Sequence, residues 1–104
     1  MTIQTRLVEY RHAGQVLEGF LAWDDALSGA SPAVVVSHTW AGRTEFEQNK
    51  AVDLARQGYV GFAIDMYGKG IRGNSPEENT ELMTPLMEDR SLLQARIGAA
   101  VAVL

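Results

Sequence analysis

An α/β domain is predicted by three features of the sequence. Two short apolar runs, Ala33-Val34-Val35-Val36 and Tyr59-Val60-Gly61-Phe62-Ala63-Ile64, lack polar alternation, as strands covered on both faces of a parallel sheet do. Between them lies a stretch of helical spacing that opens on a helix-start signature at Thr44. Ahead of both, residues 5–11 and 15–23 read as two extended runs around a tight turn. The expected path is a β-hairpin, a βαβ unit and then helices.

Each element has a local cause. In His12-Ala13-Gly14-Gln15, Gly14 supplies the positive φ that a tight hairpin loop favours, and His12 in that turn is expected to face solvent. Asp24 to Pro32 is polar and rich in small residues, which predicts a loop. In Thr44-Glu45-Phe46-Glu47 the Thr44 hydroxyl can accept from the Glu47 amide while the Glu47 carboxylate reaches back to the Thr44 amide. Ala51, Leu54 and Ala55 then share a helical face, and Gly58 is placed to end the helix. Asp65 closes the second apolar strand, and residues 66–74 form a loop with Gly68, Gly70 and Gly73. Ser75-Pro76-Glu77-Glu78 is a second capping box, with Pro76 at the first helical position, and Pro85 is expected to end or kink that short helix. From Leu86 onward, Leu93, Ile97, Ala100, Val101 and Leu104 keep helical spacing, so a second amphipathic helix is expected through the last residue. An apolar helical face at the chain end and a short sheet with open edges predict one portion of a larger α/β domain.

Composition narrows the functions. The 104 residues are 46% hydrophobic and 21% charged, which argues against wholesale disorder. Thirteen acidic against nine basic residues, with no Lys/Arg cluster, make nucleic acid or an anionic membrane an unexpected partner. Zero cysteines exclude a disulfide, a thiolate zinc site or a thiol nucleophile within these residues. Two histidines without ligand spacing predict no metal site, and no cofactor is expected. The first residues lack the basic and apolar runs of a secretory signal, and no run approaches the ~20 residues that span a bilayer. A cytoplasmic location is the expectation.

The chemistry concentrates after the first buried strand, in Ser37-His38-Thr39-Trp40-Ala41-Gly42-Arg43. Ligands of α/β folds sit beyond the carboxyl ends of the strands, where this loop falls. A His, an aromatic and a Gly there suit an oxyanion hole, in which a backbone N–H points at developing negative charge. A polar turn, with Trp40 packed on the helix and His38 satisfied by backbone, fits the spacing equally well. Gly68-Lys69-Gly70-Ile71-Arg72-Gly73 spells G-x-G-x-x-G, yet the helix start at Ser75-Pro76 comes too late to meet a pyrophosphate, so a glycine loop at the site's rim is expected instead. Asp65 is expected to cap its own loop through backbone amides. No serine stands in G-x-S-x-G, and Ser37 alone lies near the predicted cleft.

The run from Val34 to Gly42, followed by QGYVGFAIDMYGKG at residues 57–70, resembles the dienelactone hydrolase family of α/β-hydrolases over roughly residues 15–104. The resemblance implies that residues 1–104 are the N-terminal portion of a single α/β-hydrolase domain. It also implies cleavage of an ester or lactone by a Cys-His-Asp triad whose three segments are absent from this chain. Trp40 matches the position whose backbone N–H belongs to the oxyanion hole, and His38, Thr39 and Tyr67 match the substrate-binding wall. Thr39 stands where founding members place a Glu beside the resting thiol, and a hydroxyl cannot act as that carboxylate. Those members also hold the substrate carboxylate with an arginine on the helix after the Asp65-Met66-Tyr67 loop. Between Arg72 and Arg90 this sequence has only Glu77, Glu78, Glu81, Glu88 and Asp89 as charges. Neutral activated esters, phosphotriesters included, are therefore expected to fit better than dienelactone. The expected partners are that small substrate and the remainder of the hydrolase domain. The rival is a non-catalytic, flavodoxin-like binding module.

Overall fold

The computed structural model describes residues 2–26 and 31–104, so part of the loop expected over Asp24–Pro32 lies outside the described residues. Its elements are β1 (Ile3–His12), β2 (Gln15–Asp24), β3 (Ala33–Val36), α1 (Glu45–Arg56), β4 (Val60–Ala63), α2 (Pro76–Glu88) and α3 (Arg90–Val103). One four-stranded sheet runs in the order β1-β2-β4-β3, with β3 parallel to β4 and the other neighbours antiparallel.

The hairpin closes at His12↔Gln15 through consecutive positive φ angles, 52° at Ala13 and 80° at Gly14. This is the twist a two-residue loop needs to match its strands. His12 departs from expectation: it is half-buried, and its Nδ1 is shielded without a protein partner among the described residues.

The central strand sorts its side chains by parity. Gly61 and Ala63 of β4 face α1, where Ala51 and Ala55 pack on Ala22 and Ala63. Phe62 and the following Ile64 face the opposite layer, against Leu86 of α2 and Ala100 of α3. Small residues on the first face let the helix approach closely. A Cβ on Gly61 would stand 2.4 Å from the Ala51 carbonyl oxygen.

α1 is anchored at both ends. The buried Glu47 carboxylate accepts the Thr44 N–H at 2.8 Å, as expected, and also the Thr44 hydroxyl at 2.9 Å. At the other end Gly58 donates to Ala55 O and Tyr59 donates to Leu54 O, the paired bonds of a Schellman ending.

The expected boundary between the last two helices is corrected. Pro85 does not end its helix: α2 continues to Glu88, and the break falls at Asp89, whose carboxylate accepts the Leu92 N–H at 3.1 Å. The last helix therefore starts at Arg90 rather than Leu86. Its apolar face is only partly covered, with Ala100 buried but Ile97, Val101 and Leu104 exposed. β3 is the last strand of the described sheet, and both its faces have neighbours as expected: Val35 packs on the Phe62 layer and Val36 on the Ala51–Ala55 layer, with Ala33 exposed and Val34–Val36 half-buried. The second capping box is also rearranged. Ser75 accepts from Glu78 as expected, but Glu78 reaches the Asn74 amide.

Candidate functional site

The parallel pair β3–β4 ends at Val36↔Ala63, so the loops after both strands emerge on one edge of the sheet. They form one wall of an open pocket of about 260 Å³. Ser37, His38, Thr39 and Trp40 come from the first loop, Met66 and Tyr67 from the second. The opposite wall is Met83, Leu86 and Met87 of α2 with Leu93 of α3. All four residues singled out by sequence, His38, Thr39, Trp40 and Tyr67, meet here. Among the described residues, none of the pocket's lining side chains is Asp, Glu, Lys or Arg.

The second loop is held rigidly. Asp65, 3% exposed, accepts the N–H groups of Tyr67 and Gly68 on Oδ1, both at 3.0 Å. Its Oδ2 accepts the Glu18 N–H at 2.9 Å. The capping role expected of Asp65 is thus present. The Tyr10 hydroxyl donates to Asp65 O at 3.0 Å and accepts the Asp65 N–H at 3.1 Å. Arg96 donates to Met66 O at 2.7 Å and to Gln15 Oε1 at 2.6 Å, and Gln15 donates to Tyr67 O. Every backbone polar group from Met66 N to Tyr67 O therefore has a partner.

The first loop is tied to the second by His38. The Met66 N–H donates to His38 Nε2 at 3.0 Å, and His38 Nδ1 contacts Thr39 O at 2.6 Å. A carbonyl can only accept, so Nδ1 carries the proton and Nε2 the lone pair. With both nitrogens engaged by backbone, His38 is no general base for its neighbour Ser37. Gly42, at φ 98°, also donates to Thr39 O at 3.2 Å, and the buried Tyr67 hydroxyl donates to Trp40 O at 2.8 Å. Burial pushes the Tyr67 phenol above its ordinary pKa. Among the described residues, the Trp40 N–H itself has no acceptor.

The sequence profile of the dienelactone hydrolase family matches residues 17–104. The chain belongs to that family. No curated protein sequence matches it. A dienelactone hydrolase-like promiscuous phosphotriesterase, P91 from metagenomic libraries, is 26% identical with a TM-score of 0.91, over 98% of this chain and 42% of that one. The structure named m3DLH is 29% identical with a TM-score of 0.85, over 96% of this chain and 43% of that one. A third structure, from Klebsiella pneumoniae subsp. pneumoniae MGH 78578, is 19% identical at a TM-score of 0.83 and bears on the fold alone. The chain spans under half the length of each.

Within this family member, sequence reasoning missed the far wall and the supports. Met83 and Met87 are four residues apart on α2, a spacing that reads equally as core. Gln15 and Arg96 lie 81 residues apart, and no local pattern joins them. The G-x-G-x-x-G run is a loop: α2 opens at Pro76, and Gly73 N–H donates to Ala41 O at the site's rim. Among the described residues no group of three His, Asp or Glu side chains could hold a metal, and no helix is long and apolar enough to cross a membrane.

Proposed function

We propose that this chain is the N-terminal portion of a hydrolase domain that cleaves neutral esters or lactones, and that the Trp40 N–H is one of its two oxyanion donors. The observation that carries the reading is the Trp40 N–H, which has no acceptor among the described residues, on an anchored peptide at the pocket wall of a dienelactone hydrolase family chain. In this reading a cysteine or serine outside residues 1–104, activated by a histidine with its acid partner, attacks the carbonyl carbon. The carbonyl π pair moves onto oxygen, and the Trp40 N–H meets that charge. Collapse expels the alkoxide, which takes its proton from the histidine, and water then releases the acid from the acyl-enzyme.

His38, Thr39 and Tyr67 form the wall against which the acyl or alkoxy group packs. A pocket lined by Trp40, three methionines and two leucines, with no cation, favours an apolar neutral substrate over a carboxylate. The promiscuous phosphotriesterase among its structural relatives lends support to phosphotriesters as further substrates, since both reactions build charge on oxygen. Family membership favours this reading over the flavodoxin-like binding module.

The complete protein should turn over a neutral aryl ester with a higher kcat/KM than the same ester carrying a carboxylate. A preference for the carboxylate would defeat the substrate assignment. Trp40→Pro, which deletes the amide hydrogen, should lower kcat by about a hundredfold or more. A folded W40P enzyme with undiminished kcat removes Trp40 from the oxyanion hole.

A further inference from the structure

The peptide joining Thr39 to Trp40 is planar and trans, so its C=O and N–H point in opposite directions. Whatever grips the Thr39 oxygen therefore aims the Trp40 hydrogen. Two donors grip it, the Gly42 N–H at 3.2 Å and the much closer His38 Nδ1–H at 2.6 Å. His38 is itself held by the Met66 N–H at Nε2, and its ring packs on Tyr67 with centroids 4.8 Å apart. Tyr67 in turn donates to the next carbonyl, Trp40 O. The imidazole thus links the multiply hydrogen-bonded loop around Asp65 to a peptide unit whose N–H has no acceptor among the described residues.

We infer that His38, as its neutral Nδ1–H tautomer, is a positioning residue that orients and polarises the Trp40 N–H for the developing oxyanion. A hydrogen bond to an amide oxygen strengthens the N–H donor of the same amide. The inference rests on the hydrolase reading above and adds to it the group that sets the donor's direction. His38 touches no reacting atom in this arrangement. Its effect travels through the Thr39 carbonyl, while its link to Met66 only locates the ring.

The two ring contacts can be separated by amide substitutions in the complete protein. His38→Asn retains an N–H near the Nδ1 position, able to donate to Thr39 O. His38→Gln retains a polar group near Nε2 and gives up that donation. With a neutral aryl ester, kcat for H38Q should fall about tenfold below that for H38N, with similar KM for both. In the wild type, nitrogen-15 NMR should show Nδ1 protonated and Nε2 bare at neutral pH. An Nε2–H tautomer overturns the inference, even where neither variant folds. Equal loss of kcat in H38N and H38Q overturns it too and leaves the hydrolase reading standing. A wild-type protein that turns over no ester removes that reading and this role together.

Discussion

The Asp65 carboxylate accepts the Glu18 N–H at 2.9 Å, two residues beyond the point where β2 and β4 cease to pair at Phe20↔Ala63. A side chain thus continues the ladder after the backbones diverge, while its other oxygen ties down Tyr67 and Gly68. Glu18 is fixed from the other side as well, by the buried Arg43, which donates to its carbonyl at 2.9 Å and its carboxylate at 3.1 Å. Asp65→Asn keeps the Oδ1 acceptor and turns an NH₂ toward the Glu18 N–H, so a loss of roughly 2 kcal/mol is expected. Asp65→Ala strands two buried donors and the half-buried Glu18 N–H, and should cost about 4 kcal/mol or more. Guanidinium unfolding of the complete protein measures both, and an Asp65→Asn midpoint equal to wild type would show that this ladder contributes nothing.

Two glycines make opposite demands on their neighbours. At Gly61 a Cβ would meet the Ala51 backbone, with the oxygen at 2.4 Å and the Cα at 2.7 Å. At Gly19 it would meet the Phe62 ring at 2.4 and 2.6 Å. Both substitutions to Ala are expected to cost about 2–3 kcal/mol by overpacking. Only the second is relievable by a side chain, and then in part, because the Ala63 carbonyl oxygen would lie 3.1 Å away. Phe62→Leu should therefore recover about 1 kcal/mol in a double-mutant cycle with Gly19→Ala, whereas Ala51→Gly recovers nothing for Gly61→Ala. The reverse pattern contradicts the close helix–strand contact.

What the sequence disclosed divides by the range of its signals. The hairpin turn at Ala13-Gly14, the α1 start at Thr44-Glu47 and its end at Gly58 rest on bonds within a few residues, and all were legible. The α2–α3 boundary was misplaced because Pro85 drew attention to itself. Its missing N–H frees one carbonyl without forcing a turn, while Asp89 supplies the cap that starts α3. At the site, Trp40 and His38 could be marked for chemistry, but not their relation. That relation depends on Met66, 28 residues further on, meeting the imidazole.

Tyr67→Phe isolates the hydroxyl that holds Trp40 O. Losing that bond should cost about 1 kcal/mol. Burial raises the Tyr67 phenol, and Tyr10 is raised chiefly by burial as well, so the folded protein holds these protons when the unfolded chain has begun to release them. Their contribution is complete below the unfolded value of about 10 and is lost as pH rises through the higher folded values. Denaturation midpoints taken between pH 9 and 11 should fall with pH in the wild type and fall less steeply in Tyr67→Phe. Identical slopes would show that the buried phenol has no part in the alkaline loss.

Because the described lining of the pocket carries no Asp, Glu, Lys or Arg, the proposed preference for neutral esters should be reversible by one charge. Met87 lines the pocket yet is 64% exposed, so an arginine there can keep its guanidinium partly hydrated and need not be buried. Met87→Arg should raise kcat/KM for a carboxylate-bearing ester about tenfold relative to its neutral analogue, through an attraction the native lining lacks. The gain should shrink between low salt and 0.5 M salt, because the pocket is open and the new charge is screened. A steric effect of the longer side chain would change both esters alike and show no salt dependence. That outcome would separate the pocket's shape from its lack of charge as the source of selectivity.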